Sequence, residues 1–99
     1  MTIEKIQNGN ALTVKIIGEL NTLTAPDFER ELMPALDGIT DLTIDMTELT
    51  YITSAGLRVL LEAYQEIGEN GSMKTIGVRP EIVEIFELTG FTEFLVINP

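Results

Sequence analysis

Residues 42–67 read LTIDMTELTYITSAGLRVLLEAYQEI, and the side-chain period changes inside them. Leu42, Ile44 and Met46 alternate with Thr43 and Asp45, the period of two expected of a strand with one buried face. A polar turn at Thr47-Glu48 leads to a second apolar run, Leu49, Tyr51 and Ile52. From Ser54 onward Leu57, Leu60, Leu61, Tyr64 and Ile67 recur at offsets of 3, 4, 7 and 10 residues, which predicts an amphipathic helix packed on a sheet. Gly68 and Asn70-Gly71 end it.

Upstream, Thr2–Gln7 and Ala11–Ile17 are β-prone runs separated by Asn8-Gly9-Asn10, whose Asn-Gly pair signals an antiparallel hairpin. Glu19–Thr24 is a polar stretch after Gly18. Thr24-Ala25-Pro26-Asp27 then reads as an N-cap with proline and an acid in the first turn of a helix reaching about Leu36. Its inward stripe is Phe28, Leu32, Ala35 and Leu36, and Pro34 should loosen the last turn before Asp37-Gly38. Downstream, a strand is expected over Ser72–Val78, then a short helix opened by Pro80 with Ile82, Ile85 and Phe86 inward and closed by Gly90. Phe94–Ile97 reads as a last short strand. Strands alternating with helices predict one α/β domain over residues 1–99, its mixed sheet combining an N-terminal antiparallel hairpin with parallel crossovers and packed with about three to four helices.

The bulk chemistry narrows function. There is no cysteine and no histidine, which removes disulfides, thiolate chemistry, the commonest metal ligand and the commonest general base. Neither GxxxxGK[ST] nor GxGxxG occurs, no loop has calcium-ligand spacing, and Glu62, Glu66 and Glu69 read as a solvated helix face. No catalytic residue, metal or cofactor is therefore expected. Sixteen acidic against six basic residues leave a formal charge of −10, which disfavours nucleic acid and anionic membrane and fits either a partner with a basic face or plain solubility. No apolar run approaches the roughly 20 residues of a membrane-spanning helix. MTIEKIQNGN shows no secretory signal, so a cytoplasmic location is expected.

One place stands out. Thr53-Ser54-Ala55-Gly56-Leu57 follows an apolar strand directly, so two hydroxyls stand beside the free N–H groups and positive dipole end of a helix. Small residues at 54–56 would let a partner or a phosphoryl group approach the backbone. Serine is also a favoured N-cap, a structural duty worth about 1 kcal/mol, and spacing alone does not separate the two readings.

Four fragments, in order, carry a resemblance: Gly18-Glu19-Leu20-Asn21 with Thr24-Ala25-Pro26, Leu42-Thr43-Ile44-Asp45, the run from Tyr51 to Leu60, and the run from Ile85 to Phe91. Over nearly its full length the chain resembles STAS domains of the bacterial anti-sigma factor antagonist family, whose landmarks are GELD with a following TA or SAP, a DSSGL or SSAGLR segment, and a closing F-x-x-T/S-G. Asn21 and Thr53 stand where that family commonly has aspartate, each removing a negative charge near Ser54. The resemblance implies a non-enzymatic regulator that works by partner switching. Ser54 would be the phosphorylated residue, with Thr53 a second candidate, and Asn21, Thr22, Thr24, Thr53, Ser54, Ala55, Gly56, Leu57 and Arg58 would form the contact surface. The implied partners are an anti-sigma factor serine/threonine kinase of histidine-kinase-like ATPase fold and a PPM-type phosphatase. The alternatives are a constitutive STAS subunit of a larger complex, such as a lipid-transport ATPase, or an anion- or nucleotide-sensing module without phosphorylation.

Overall fold

The computed structural model describes every residue except Phe94. Strand β1 (Thr2–Asn8) turns through Gly9 and Asn10 into β2 (Ala11–Leu20), and the two pair antiparallel from Thr2↔Ile17 to Asn8↔Ala11. The tight loop is thus Gly9-Asn10, one residue later than the Asn-Gly pair suggests. Helix α1 (Ala25–Ala35), β3 (Asp41–Asp45), β4 (Leu49–Ile52), α2 (Ser54–Ile67), β5 (Ser72–Ile76) and α3 (Pro80–Thr89) follow. A 3-10 turn at Phe91–Glu93 then leads to β6 (Val96–Ile97). Of the expected last strand, Val96 and Ile97 pair with β5, and Phe94 lies outside the described residues.

The sheet order is β1-β2-β3-β5-β6, with β4 paired to β2 off that path and every pairing after the hairpin parallel. The crossovers through α1, α2 and α3 all advance the same way along this order. Right-handed connections therefore place the helices on one face. Burial agrees: Leu12, Val14, Ile16, Leu42, Ile44 and Met73 point into the core, whereas their neighbours Thr13, Lys15, Thr43 and Lys74 stay at least partly exposed. Among the described residues, no helix is long and apolar enough to cross a membrane.

Strand β2 departs most from the sequence expectation, which ended it at Ile17. It runs on to Leu20, pairing β3 through Ala11–Lys15 and β4 through Gly18, Glu19 and Leu20. The register shifts between Gly18 and Glu19, and Gly18 sits at φ +105°, a conformation other residues rarely adopt. That bulge breaks the period-two alternation, so Glu19 and Leu20 look like loop until β4 is seen beside them. Likewise β5 stops at Ile76, two residues short of Val78.

Helix α1 keeps Phe28 and Leu32 inside, and Pro34 falls in its last turn, where bonds from Leu36 N–H to Met33 O and Asp37 N–H to Pro34 O tighten the ending. In α2 the buried stripe is Gly56, Leu57, Val59, Leu60 and Ala63; Leu61 and Ile67 are only partly buried. Tyr64, expected inward, sits on the rim at 36% exposure. Helix α3 opens at Pro80, buries Ile82 and Phe86, and ends at Gly90 in the left-handed conformation. The Phe86 ring stacks on Phe91 with centroids 5.9 Å apart, tying α3 to the turn that leads into β6.

Candidate functional site

The parallel pairing of β2 with β4 builds the site. Leu20 lies opposite Ile52, and Thr53 N–H donates to Leu20 O at 3.0 Å, so the loop leaving β2 and the turn entering α2 emerge side by side.

The first wall is the loop from Asn21 to Thr24. Asn21 Oδ1 accepts the N–H of Leu23 at 2.9 Å and of Thr24 at 3.1 Å, and Asn21 O accepts from Ala25 N–H at 2.8 Å. Thr24 does not cap α1 with its side chain; its hydroxyl donates to Glu19 O at 2.9 Å and accepts from Asn21 N–H at 2.8 Å. Asn21 and Thr24, both expected as contact residues, are therefore half-buried loop anchors. Thr22 and Leu23 are the loop residues left exposed. An aspartate at position 21 would accept the same two backbone bonds, so asparagine keeps the loop geometry while removing a charge.

The second wall is the start of α2. Thr53, extended at φ −111° and ψ 176°, is the N-cap residue, and Ser54 is the first helical residue rather than the cap. The Thr53 side chain makes no capping bond and its Oγ1 is buried without a partner, so it is poorly placed to meet a phosphoryl donor as the second acceptor expected above. Ser54 is exposed. The first intrahelical bond runs from Leu57 N–H to Thr53 O at 3.0 Å, which leaves the N–H groups of Ser54, Ala55 and Gly56 as the orphan donors of the helix end.

Gly56 and Leu57, also expected in the contact surface, are buried instead. A Cβ on Gly56 would meet Leu20 Cγ at 2.7 Å and Ile52 Cγ1 at 3.0 Å, so the missing side chain makes room for the core and not for a partner. The presented surface is Thr22, Leu23, Ser54, part of Ala55, and Arg58. Leu23 was missed because a lone leucine in a polar loop carries no periodic signal, and apolar side chains are otherwise assigned to the core.

Between α1 and α2 a shallow groove of about 220 Å³ opens beside Ser54, with Thr22, Pro26 and Glu29 on one side and Ala55, Arg58 and Glu62 on the other. Hydrogen bonding with Glu29, desolvation and the Glu29 charge raise the Glu62 pKa above its ordinary value, while Arg58 one turn away pulls the other way. A carboxyl whose pKa is raised by folding destabilises the fold once ionised, and the penalty is complete above the folded pKa. Glu62→Gln is therefore expected to raise the melting temperature near neutral pH. The gain should fade as the pH falls through the ordinary carboxylate range, which thermal melts at about pH 7 and about pH 3 would check.

Together these features define a small α/β domain that presents an exposed serine at a helix start beside a hydrogen-bonded loop. A STAS domain model matches residues 2–99, and the chain belongs to the STAS domain family. It is 26% identical over 99 residues to an anti-sigma-B factor antagonist of Bacillus subtilis (strain 168), covering 99% of this chain and 91% of that protein. In fold it matches the crystal structure of an anti-sigma factor antagonist from Mycobacterium paratuberculosis with a TM-score of 0.90 at 23% identity, covering 99% of this chain and 85% of the other. It also matches the Bacillus cell fate determinant SpoIIAA in its phosphorylated form, with a TM-score of 0.76 at 14% identity over 97% of this chain and 90% of the other.

Proposed function

We propose that this protein is an anti-sigma factor antagonist that works by partner switching at Ser54. Unmodified, it binds an anti-sigma factor that is also a serine kinase, and the sigma factor held by that kinase is released. The kinase then transfers the γ-phosphoryl group of Mg-ATP to Ser54 Oγ, the antagonist dissociates, and a PPM-type phosphatase restores it. The chain is the substrate and the kinase supplies the catalytic groups.

The observation that carries this reading is the contrast between the two adjacent hydroxyls, Ser54 exposed at the first position of α2 and Thr53 Oγ1 buried behind it. Supporting it are the full-length likeness to an anti-sigma-B factor antagonist and the existence of a phosphorylated form of a protein with the same fold. A phosphoserine would add about −1.5 to −2 charges in the middle of the contact surface. At a helix start, the orphan N–H groups and the dipole favour that charge, so its effect falls on the interface and not on the fold.

The test is to incubate wild type and Ser54→Ala with Mg-ATP and the candidate kinase of the source organism, then read intact mass and map the modified peptide. One phosphoryl group on Ser54, absent from the alanine variant, is expected. No transfer by a kinase shown to be active would instead point to a constitutive binding subunit in which Ser54 only begins a helix.

A further inference from the structure

Among the described residues, Leu23 is the most exposed large apolar side chain, at 86%. It is not on a loose loop. Asn21 Oδ1 holds the N–H groups on Leu23 and Thr24, and the Thr24 hydroxyl ties the loop back to Glu19. Such a side chain gives up little loop entropy when a partner covers it. It also lies three residues beyond Leu20, whose partner Ile52 stands two residues before Ser54, and Tyr51 of that strand is itself 51% exposed. Acidic groups outnumber basic ones around this apolar point. Glu19 is exposed before the loop, Asp27 after it pairs with Arg30, and Thr22 opens onto the groove that Glu29 and Glu62 line together with Arg58.

We propose that Leu23 is the apolar anchor of the Ser54 surface, entering an apolar recess on the partner protein whose rim carries Lys or Arg side chains that meet Glu29 and Glu62. A cation brought to those carboxylates adds to the charge that Arg58 already supplies in the groove and offsets the repulsion left between them. The proposal rests on the reading of the Ser54 surface as the docking site for the anti-sigma factor kinase, and it names what that kinase must present.

Calorimetric titration of the purified kinase with wild type, Leu23→Ala, Glu62→Gln and the control Leu88→Ala tests it, at about 50 and about 300 mM salt and with thermal melts of each variant. Leu88 is also highly exposed, at 80%, but lies on α3 away from the site. Leu23→Ala should weaken binding about tenfold or more with an unchanged melting temperature, while Leu88→Ala binds as wild type does. Wild-type affinity should fall with salt, and Glu62→Gln should bind more weakly with a flatter salt dependence. Equal binding by wild type and Leu23→Ala overturns the anchor and leaves partner switching standing. Binding indifferent to salt overturns the basic rim. Failure of wild type to bind any anti-sigma factor kinase overturns the switching reading, and the anchor falls with it.

Discussion

A Ser54→Asp protein is expected to bind the anti-sigma factor kinase at least about 100-fold more weakly than wild type, a loss of about 2.7 kcal/mol, with its fold intact. Ser54 is exposed and supports no core contact, and an acid in the first turn of a helix is stabilising by about 0.3–1 kcal/mol. The melting temperature should therefore hold or rise slightly. Binding suffers for a different reason: the partner's basic rim is matched to Glu29 and Glu62, so a carboxylate enclosed at position 54, inside that rim, loses its water without a counter-charge of its own, a penalty of several kcal/mol. Ser54→Ala, which keeps the surface neutral, should still bind. Calorimetry on the two variants decides between them, and equal affinity for Ser54→Asp and wild type would remove the switch.

Gly56→Val is expected to cost roughly 2–3 kcal/mol of stability, because the new side chain has nowhere to go. Its Cβ alone would fall 2.7 Å from Leu20 Cγ and 3.0 Å from Ile52 Cγ1, and those two side chains are 0% and 2% exposed, so neither can swing away. The consequence reaches the site. Leu20 and Ile52 immediately precede the Asn21 loop and the Thr53-Ser54 turn, and forcing them apart strains the Thr53 N–H to Leu20 O bond that holds the two segments together. Denaturant unfolding should show the lost stability, and the same variant should bind the kinase more weakly although Gly56 is buried. A midpoint matching wild type would mean that α2 can lift from the sheet without penalty.

How far the sequence could be read depended on whether its signals were local. Helix α2 starts and stops where its period does, at Ser54 and Ile67, because a stripe of apolar residues every three to four positions has only one helical reading. Pro80 and Gly90 bracket α3 for reasons each residue carries in itself. The end of β2 was hidden because a bulge at Gly18 shifts the alternation by one, and only β4, some thirty residues later, reveals Glu19 and Leu20 as strand. Tyr64 and Gly56 exchanged expected places for a related reason: both fit a helical face, and the angle at which α2 lies on Leu20 and Ile52 decides which edge of that face is inside.

By itself the sequence determined the alternation of strands and helices, the hairpin, an acidic surface without cysteine or histidine chemistry, and the ordered fragments that mark a STAS domain. All of these are written in neighbouring residues or in composition. Which of two adjacent hydroxyls faces outward, that Leu23 stands exposed on a pinned loop, and that Glu29 meets Glu62 were decided only by tertiary structure. Each depends on β2 pairing β4 and on α1 lying against α2, approaches between segments far apart in the chain that no local period encodes.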